Sequence, residues 1–237
     1  MPSLRFRYDL PIIERFPDVQ GGVIHAIGLV NGPSPEALTT AFLAEQAAVR
    51  ERIGETPLSE LASIAAWRRT FRAFRVDPTG YRSAPEALLR RLTKQGSLPS
   101  INALVDIGNL VSIRYALPVA MFDQAAATGG TTVGFATGDE WFTDLGSGTR
   151  EHPEPGEVIF ADEAGLVSAR RWCWRQSAES ASGPGTTEVL ITVEAQHEGG
   201  ADAVAAALAD LERLLGEFAT PSVLSSGRVN AETPIFG

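Results

Sequence analysis

The sequence predicts an α+β fold, because its hydrophobic periodicities are segregated along the chain. After two short opening strands, helical spacing of apolar residues runs to about residue 115. Strand patterns follow from residue 118 to 195, and one amphipathic helix comes after them. Runs of helices followed by runs of strands are an α+β plan, whereas a parallel α/β fold would alternate them. Hydrophobic residues make up 44% of the 237 and charged residues 21%, a composition able to build a packed core.

Taken in order, Leu4, Phe6, Tyr8 and Leu10 alternate with polar residues, which predicts a half-buried strand. Residues 22–30 (GVIHAIGLV) predict a second, more buried one, ended by Asn31-Gly32-Pro33. A helix is expected from Ser34, with Pro35 in its first turn, to Gly54. Another is expected from Thr56-Pro57 through Trp67 to the Asp77-Pro78 break. Ser83 and Glu86 have the spacing of a capping box, so a third helix should cover Ala84 to about Lys94. Asn102 to Tyr115 is apolar nearly all round and predicts a buried helix. Strands are expected at 132–135, 140–142, 157–161, 166–174 and 188–195. The last helix, 201–218, turns Val204, Leu208, Leu211 and Leu215 to one side. With neither an internal repeat nor a low-complexity linker, residues 1–237 are expected to form a single domain.

Cys173 is the only cysteine, which excludes an internal disulfide and a multi-cysteine zinc cage and fits a reducing compartment. The N-terminal residues lack the apolar run of a signal peptide, and no segment reaches the roughly 18 apolar residues of a membrane helix. A cytoplasmic protein is expected, with no cofactor, no metal and no membrane or DNA partner. The net charge of −9 is unevenly spread. Between Trp67 and Lys94, eight cations (Arg68, Arg69, Arg72, Arg75, Arg82, Arg90, Arg91 and Lys94) face two anions. That segment carries +6 and leaves −15 for the rest. Such a stretch is either a solvated helix face or a surface for RNA phosphates.

A P-loop, GxGxxG, HExxH and GxSxG are all missing, and His25, His152 and His197 stand in separate segments with no nucleophile or ligand beside them. Two constellations rise above this background. Asn102, Asp106 and Asn109 recur at i, i+4 and i+7, a polar stripe on an apolar helix. It either ties the helix to neighbouring loops or contacts a ligand. The other is residues 169–176 (ARRWCWRQ). As a strand it would put Trp172 and Trp174 on one face with Arg170, and Arg171, Cys173 and Arg175 on the other. Interleaved aromatic and guanidinium groups suit a base, an aromatic amino acid or a phosphate. Alternatively, the tryptophans fill core while the arginines pair with acids such as Asp162 and Glu163.

The runs SINALVDIGNLVSIRYALPVAMFD (100–123) and PEPGEVIFADEAGLVSARRWCWRQS (153–177) resemble the B3/B4 domain of the bacterial phenylalanyl-tRNA synthetase β subunit. The resemblance is strongest over residues 85–195, and the WxWRQ ending is similar to free-standing B3/B4 proteins. It implies a layered mixed sheet with packed helices and a pocket for the amino acid on the 3′ end of a tRNA, which in the synthetase hydrolyses a wrongly attached tyrosine. The chain departs from that pattern: Pro118 is followed by Val119, Ala120 and Met121 where the synthetase has a histidine, and Gln176 falls near the position of its acidic residue.

Ligand-binding candidates are therefore Asn102, Asp106, Asn109, Arg171, Trp172, Trp174, Arg175 and Gln176. The phosphate candidates are Arg68, Arg69, Arg72, Arg75, Arg90, Arg91 and Lys94. Three functions remain open: a trans-acting editing hydrolase of mischarged tRNA, a noncatalytic RNA- or aminoacyl-tRNA-binding module, and a binder or enzyme of a free amino acid or small metabolite. The chain is too short to hold a complete tRNA ligase beside this module.

Overall fold

The computed structural model describes residues 5–237, in the order β1 (Phe6–Tyr8), α1 (Leu10–Arg15), β2 (Gln20–Ile27), α2 (Glu36–Ile53), a 3₁₀ turn (Leu58–Glu60), α3 (Ala62–Ala73), α4 (Ala84–Gln95), α5 (Ala103–Tyr115), β3 (Val119–Asp123), β4 (Thr131–Phe135), β5 (Phe142–Thr143), β6 (Arg150–Glu151), β7 (Val158–Ala161), β8 (Val167–Arg170), β9 (Arg175–Gln176), β10 (Glu188–Ala195), α6 (Gly200–Phe218), β11 (Val223–Asn230) and β12 (Ile235–Phe236). Among these residues the strands form a four-stranded antiparallel sheet, β11-β2-β10-β3, and a six-stranded mixed sheet, β12-β1-β4-β7-β8-β9, in which β1 and β4 run parallel. A small ribbon joins β5 to β6. The fold is α+β and layered.

Strand β10 shows why the layers stack as they do. Successive side chains of a strand point to opposite faces. Val189, Ile191, Val193 and Ala195 join the core beneath α2, α5 and α6, among Leu104, Ile107, Val111, Leu208, Leu211 and Leu215. Leu190 faces a second core with Phe6, Tyr8, Val23, Phe122, Phe160 and Trp172. The four-stranded sheet is thus covered by helices on one side and by the six-stranded sheet on the other. The second core is largely aromatic: Trp67 meets Trp172 edge-to-face with centroids 5.3 Å apart, and Phe16 meets Trp172 at 5.2 Å. Each such pair is worth about 0.5–1.5 kcal/mol beyond its buried area. Among the described residues no helix is long and apolar enough to cross a membrane.

Several local expectations are corrected. Leu10 is not in a strand: Pro11 starts α1 there, and Leu10 is 60% exposed; Leu4 lies outside the described residues. The first long helix starts at Glu36, with Pro35 as its N-cap. The expected helix from Thr56 breaks at Leu61, whose extended backbone separates the 3₁₀ turn from α3. The capping box is not made, because the Ser83 hydroxyl caps nothing and Glu86 is bound by Arg68 at 2.6 Å. The expected strand at 166–174 stops at Arg170, since Arg171 and Trp172 turn left-handed with φ of 46° and 60°. Strands β3 and β11, absent from the sequence expectation, supply the two edges of the four-stranded sheet.

Candidate functional site

A pocket opens between the two sheets. Ala120 and Phe122 of β3 and Thr192 and Glu194 of β10 form one wall, and Phe160 of β7 and Ala169 of β8 the other. Trp172, Trp174, Arg175 and Gln176 line it as well. Its cavity is small, about 70 Å³, below the roughly 300–1,000 Å³ of drug-sized ligand pockets. Alternation along β10 makes it: Leu190, Thr192 and Glu194 share the face turned to the other sheet.

Glu194 is the one acidic group of this largely apolar lining, and it is 2% exposed. Its Oε1 accepts from the Tyr8 hydroxyl at 2.7 Å and from the Trp172 indole N–H at 3.0 Å. Burial pushes its pKa up to about 7, against the lowering effect of those two bonds. Tyr8 is in turn raised well above the usual phenol value, by burial first and the adjoining carboxylate second. Cys173, which also lines the pocket, is raised by burial and by Glu194, so it is a neutral thiol and not an activated thiolate. Gly21 pairs with Glu194 across β2 and β10, and a Cβ there would collide with the Tyr8 hydroxyl. The glycine therefore makes room for the Tyr8–Glu194 bond.

The segment 170–176 is a strand end, a turn and a strand start, so its side chains do not alternate. Trp172 is fully buried core that also caps Glu194. Trp174 is partly exposed, edge-to-face on Tyr81 at 5.0 Å. Arg170 is buried, with Nη2 2.6 Å and Nε 3.1 Å from the two oxygens of Glu157 and Nη1 2.7 Å from Glu151. The arginine partners are thus Glu157, Glu151 and Asp144, while Asp162 accepts backbone N–H groups of Thr128, Ala164 and Leu166. Arg175 pairs with Asp144, whose carboxyl is held down at about 2 by the Ser147 N–H first and by Arg175 second. Gln176 donates to the carbonyls of Met121 (2.9 Å) and Ser180 (2.5 Å), tying β9 to β3 beside the pocket. Arg171 lies on the far side of the turn and lines a separate cleft.

The polar stripe of α5 lies outside this pocket. Asn102 caps the helix, accepting from the Val105 N–H at 3.0 Å and donating to the Ser182 carbonyl at 3.0 Å. Asp106 is fully buried and accepts from Ser34 at 2.6 Å, from Ser100, and from the Ile101 N–H at 2.9 Å. Asn109 is partly exposed on the same helix, and none of the three lines the inter-sheet pocket. None of the histidines lines it either: His25 pairs with Glu188, and His152 with the Glu140 carbonyl. His197, partly buried, has its pKa lowered by burial.

The basic stretch divides. Arg68, Arg82, Arg90 and Lys94 surround one groove between α3, α4 and the 3₁₀ turn, with the hydroxyl residues Ser59, Thr79 and Thr93 and one acid, Glu86. Arg75 joins Arg171 in the other cleft, whereas Arg69, Arg72 and Arg91 are exposed outside both. Sequence reasoning missed Glu194 and Tyr8 as site residues, and it placed Arg82 in the basic stretch without naming it a phosphate candidate. The signal for Glu194 was an acid at the end of a strand face shared with Leu190 and Thr192.

Comparison with known proteins fits this arrangement. The family model described as "B3/4 domain" matches residues 66–202, which include the whole pocket lining and the basic groove apart from Leu58 and Ser59. A phenylalanine–tRNA ligase β subunit of Nocardia farcinica is 34% identical over 149 residues, 63% of this chain and 17% of that protein. The same subunit of Bradyrhizobium diazoefficiens is 35% identical over 108 residues, 46% of this chain and 13% of that protein. The chain thus matches less than a fifth of the length of either relative. An N-terminal fragment of the Pyrococcus horikoshii phenylalanyl-tRNA synthetase β subunit aligns over 91% of this chain and 49% of that one, at 12% identity and a TM-score of 0.46. With more than half of its residues matched by the family model, the chain belongs to the B3/4 domain family.

Proposed function

We propose that this protein handles aminoacyl-tRNA, and that the inter-sheet pocket receives the amino acid carried on the 3′ end. The observation that carries the reading is the lone buried carboxylate of Glu194 in a pocket otherwise lined largely by Ala120, Phe122, Phe160, Ala169 and Trp172. Apolar walls take up a side chain, and a single polar group discriminates among similar ones by hydrogen bonding. The shared ancestry with ligase β subunits supports tRNA as the carrier. The groove of Arg68, Arg82, Arg90 and Lys94 supplies phosphate contacts despite the net charge of −9.

The same geometry supports a trans-acting editing hydrolase. Ester hydrolysis needs a group that takes a proton from water, and Glu194, with a pKa near 7, matches that task at neutral pH. The Arg175 guanidinium at the pocket lining is a donor for the developing oxyanion. The test is hydrolysis of a panel of mischarged tRNAs by the purified protein, with Glu194→Gln as control. Release of one amino acid by the native protein alone supports editing. Failure of the native protein both to hydrolyse and to bind any charged tRNA sinks the reading.

A second reading, passive binding, is favoured by one observation: both bonds to Glu194 come from the protein itself and end on the same oxygen. Binding of charged tRNA without release of its amino acid would select it.

A further inference from the structure

We infer that Arg171 forms a phosphate-binding site in the cleft on the opposite side of the 171–174 turn from the inter-sheet pocket. The cleft has a volume of about 600 Å³ and is lined by Arg15, Phe74, Arg75, Tyr81, Phe135 and the 154–157 segment, with Arg171 in its wall. The Arg171 side chain is only 12% exposed, yet it makes no hydrogen bond among the described residues. Its nearest acid is Glu157, 3.7 Å from Nε. Flat aromatic rings hold it instead: the guanidinium carbon sits 4.0 Å from the Tyr81 centroid and 4.6 Å from that of Trp174. A guanidinium carries five N–H donors in a rigid fork matched to phosphate. Here the stacking fixes the fork while leaving its donors unused.

The backbone points the same way. Arg171 and Trp172 are consecutive non-glycine residues in the left-handed region, a conformation that costs energy and recurs at ligand sites. Arg75, also left-handed with φ 66°, and Arg15 bring two exposed arginines to the cleft lining. Three acids line the cleft as well. Glu157 accepts from Nε and Nη2 of Arg170, and Asp77 from the N–H groups of Thr79 and Gly80. Glu154 is the exposed remainder. Three arginines thus face three carboxylates around the cleft, and Arg171 is the cation stacked on both Tyr81 and Trp174.

The phosphate has two sources, an RNA backbone or a small phosphorylated ligand, and the experiment separates them. Inorganic phosphate, a nucleoside 5′-monophosphate and a short single-stranded oligoribonucleotide are titrated into the native chain and into Arg171→Gly and Arg75→Ala by calorimetry. Glycine accepts φ 46° without strain, so the first variant keeps the turn; its melting temperature checks this. Arg171→Gly is expected to weaken phosphate binding roughly tenfold or more, and Arg75→Ala to weaken it several-fold. Tighter, Arg171-dependent binding of the oligoribonucleotide identifies RNA as the source. Arg171-dependent binding of the small phosphates alone identifies a small ligand. A native chain that binds none of the three, or a folded Arg171→Gly that binds phosphate as the native chain does, overturns the site. Should Arg171→Gly fail to fold, unchanged phosphate affinity in Arg75→Ala overturns it. The probes carry no amino acid, so this outcome is separate from that of the aminoacyl pocket.

Discussion

The hydroxyl of Tyr8 on β1 donates to the carboxylate of Glu194 on β10 across 2.7 Å, linking the two sheets through the polar point of the pocket between them. The indole of Trp172 completes the cluster from the turn that follows β8.

Glu194 makes stability depend on pH with a definite sign. Its folded pKa of about 7 lies above the ordinary value of 4.5, so the folded state binds the proton more tightly than the unfolded one. Its contribution is greatest below pH 4.5, falls between 4.5 and 7, and is level above 7. The fall is on the order of 3 kcal/mol from the two pKa values. Urea unfolding at pH 5 and pH 8 should therefore show Glu194→Gln gaining on the native chain as pH rises. Parallel pH profiles would remove the buried charge from the account.

Gly21 and Tyr8 should be energetically coupled. A Cβ at position 21 meets the Tyr8 hydroxyl and Val229, so Gly21→Ala is expected to cost about 1–3 kcal/mol by overpacking. In a Tyr8→Phe background the hydroxyl is gone, and the same substitution should cost less. A double-mutant cycle by denaturant unfolding reads the difference, and strict additivity would contradict the contact.

Arg170 and Arg171, adjacent in sequence, should respond oppositely. Arg170→Ala strands the buried Glu157 and should lose about 3–5 kcal/mol. Arg171→Gly breaks no hydrogen bond and relieves a left-handed residue, so its melting temperature should hold or rise. Differential scanning calorimetry of both variants checks the contrast.

The two tryptophans divide in the same way. Trp172→Ala empties the aromatic core and should cost about 3–5 kcal/mol. Trp174→Ala removes a partly exposed ring and should cost clearly less while weakening ligand binding at the pocket and the Arg171 cleft.

What the sequence revealed depended on whether the determining interactions were local. The helix at 103–115 and its Asn102 cap were readable because a cap and an apolar period are properties of neighbouring residues. The α6 face of Val204, Leu208, Leu211 and Leu215 was readable for the same reason. The 171–174 turn was hidden: Arg-Trp-Cys-Trp carries no glycine or proline, and only tertiary packing holds its left-handed residues. Strand β3 was hidden because VAMFD is too short to show a period and is fixed by pairing to β10, far along the chain. Glu86 was assigned to a cap because its spacing fitted one, but Arg68, 18 residues earlier, bound it instead. The pocket itself joins residues from positions 84 to 194, and no local pattern announces such a meeting.

The most direct measurement is the affinity of the native protein and of Glu194→Gln for one tRNA in two forms: uncharged, and carrying an amino acid through a non-hydrolysable amide link. The native protein should bind the charged form more tightly for at least one amino acid, and Glu194→Gln should lose that preference while still binding the RNA. Equal affinity for charged and uncharged tRNA across the amino acids tested would contradict the claim that the inter-sheet pocket reads what the tRNA carries.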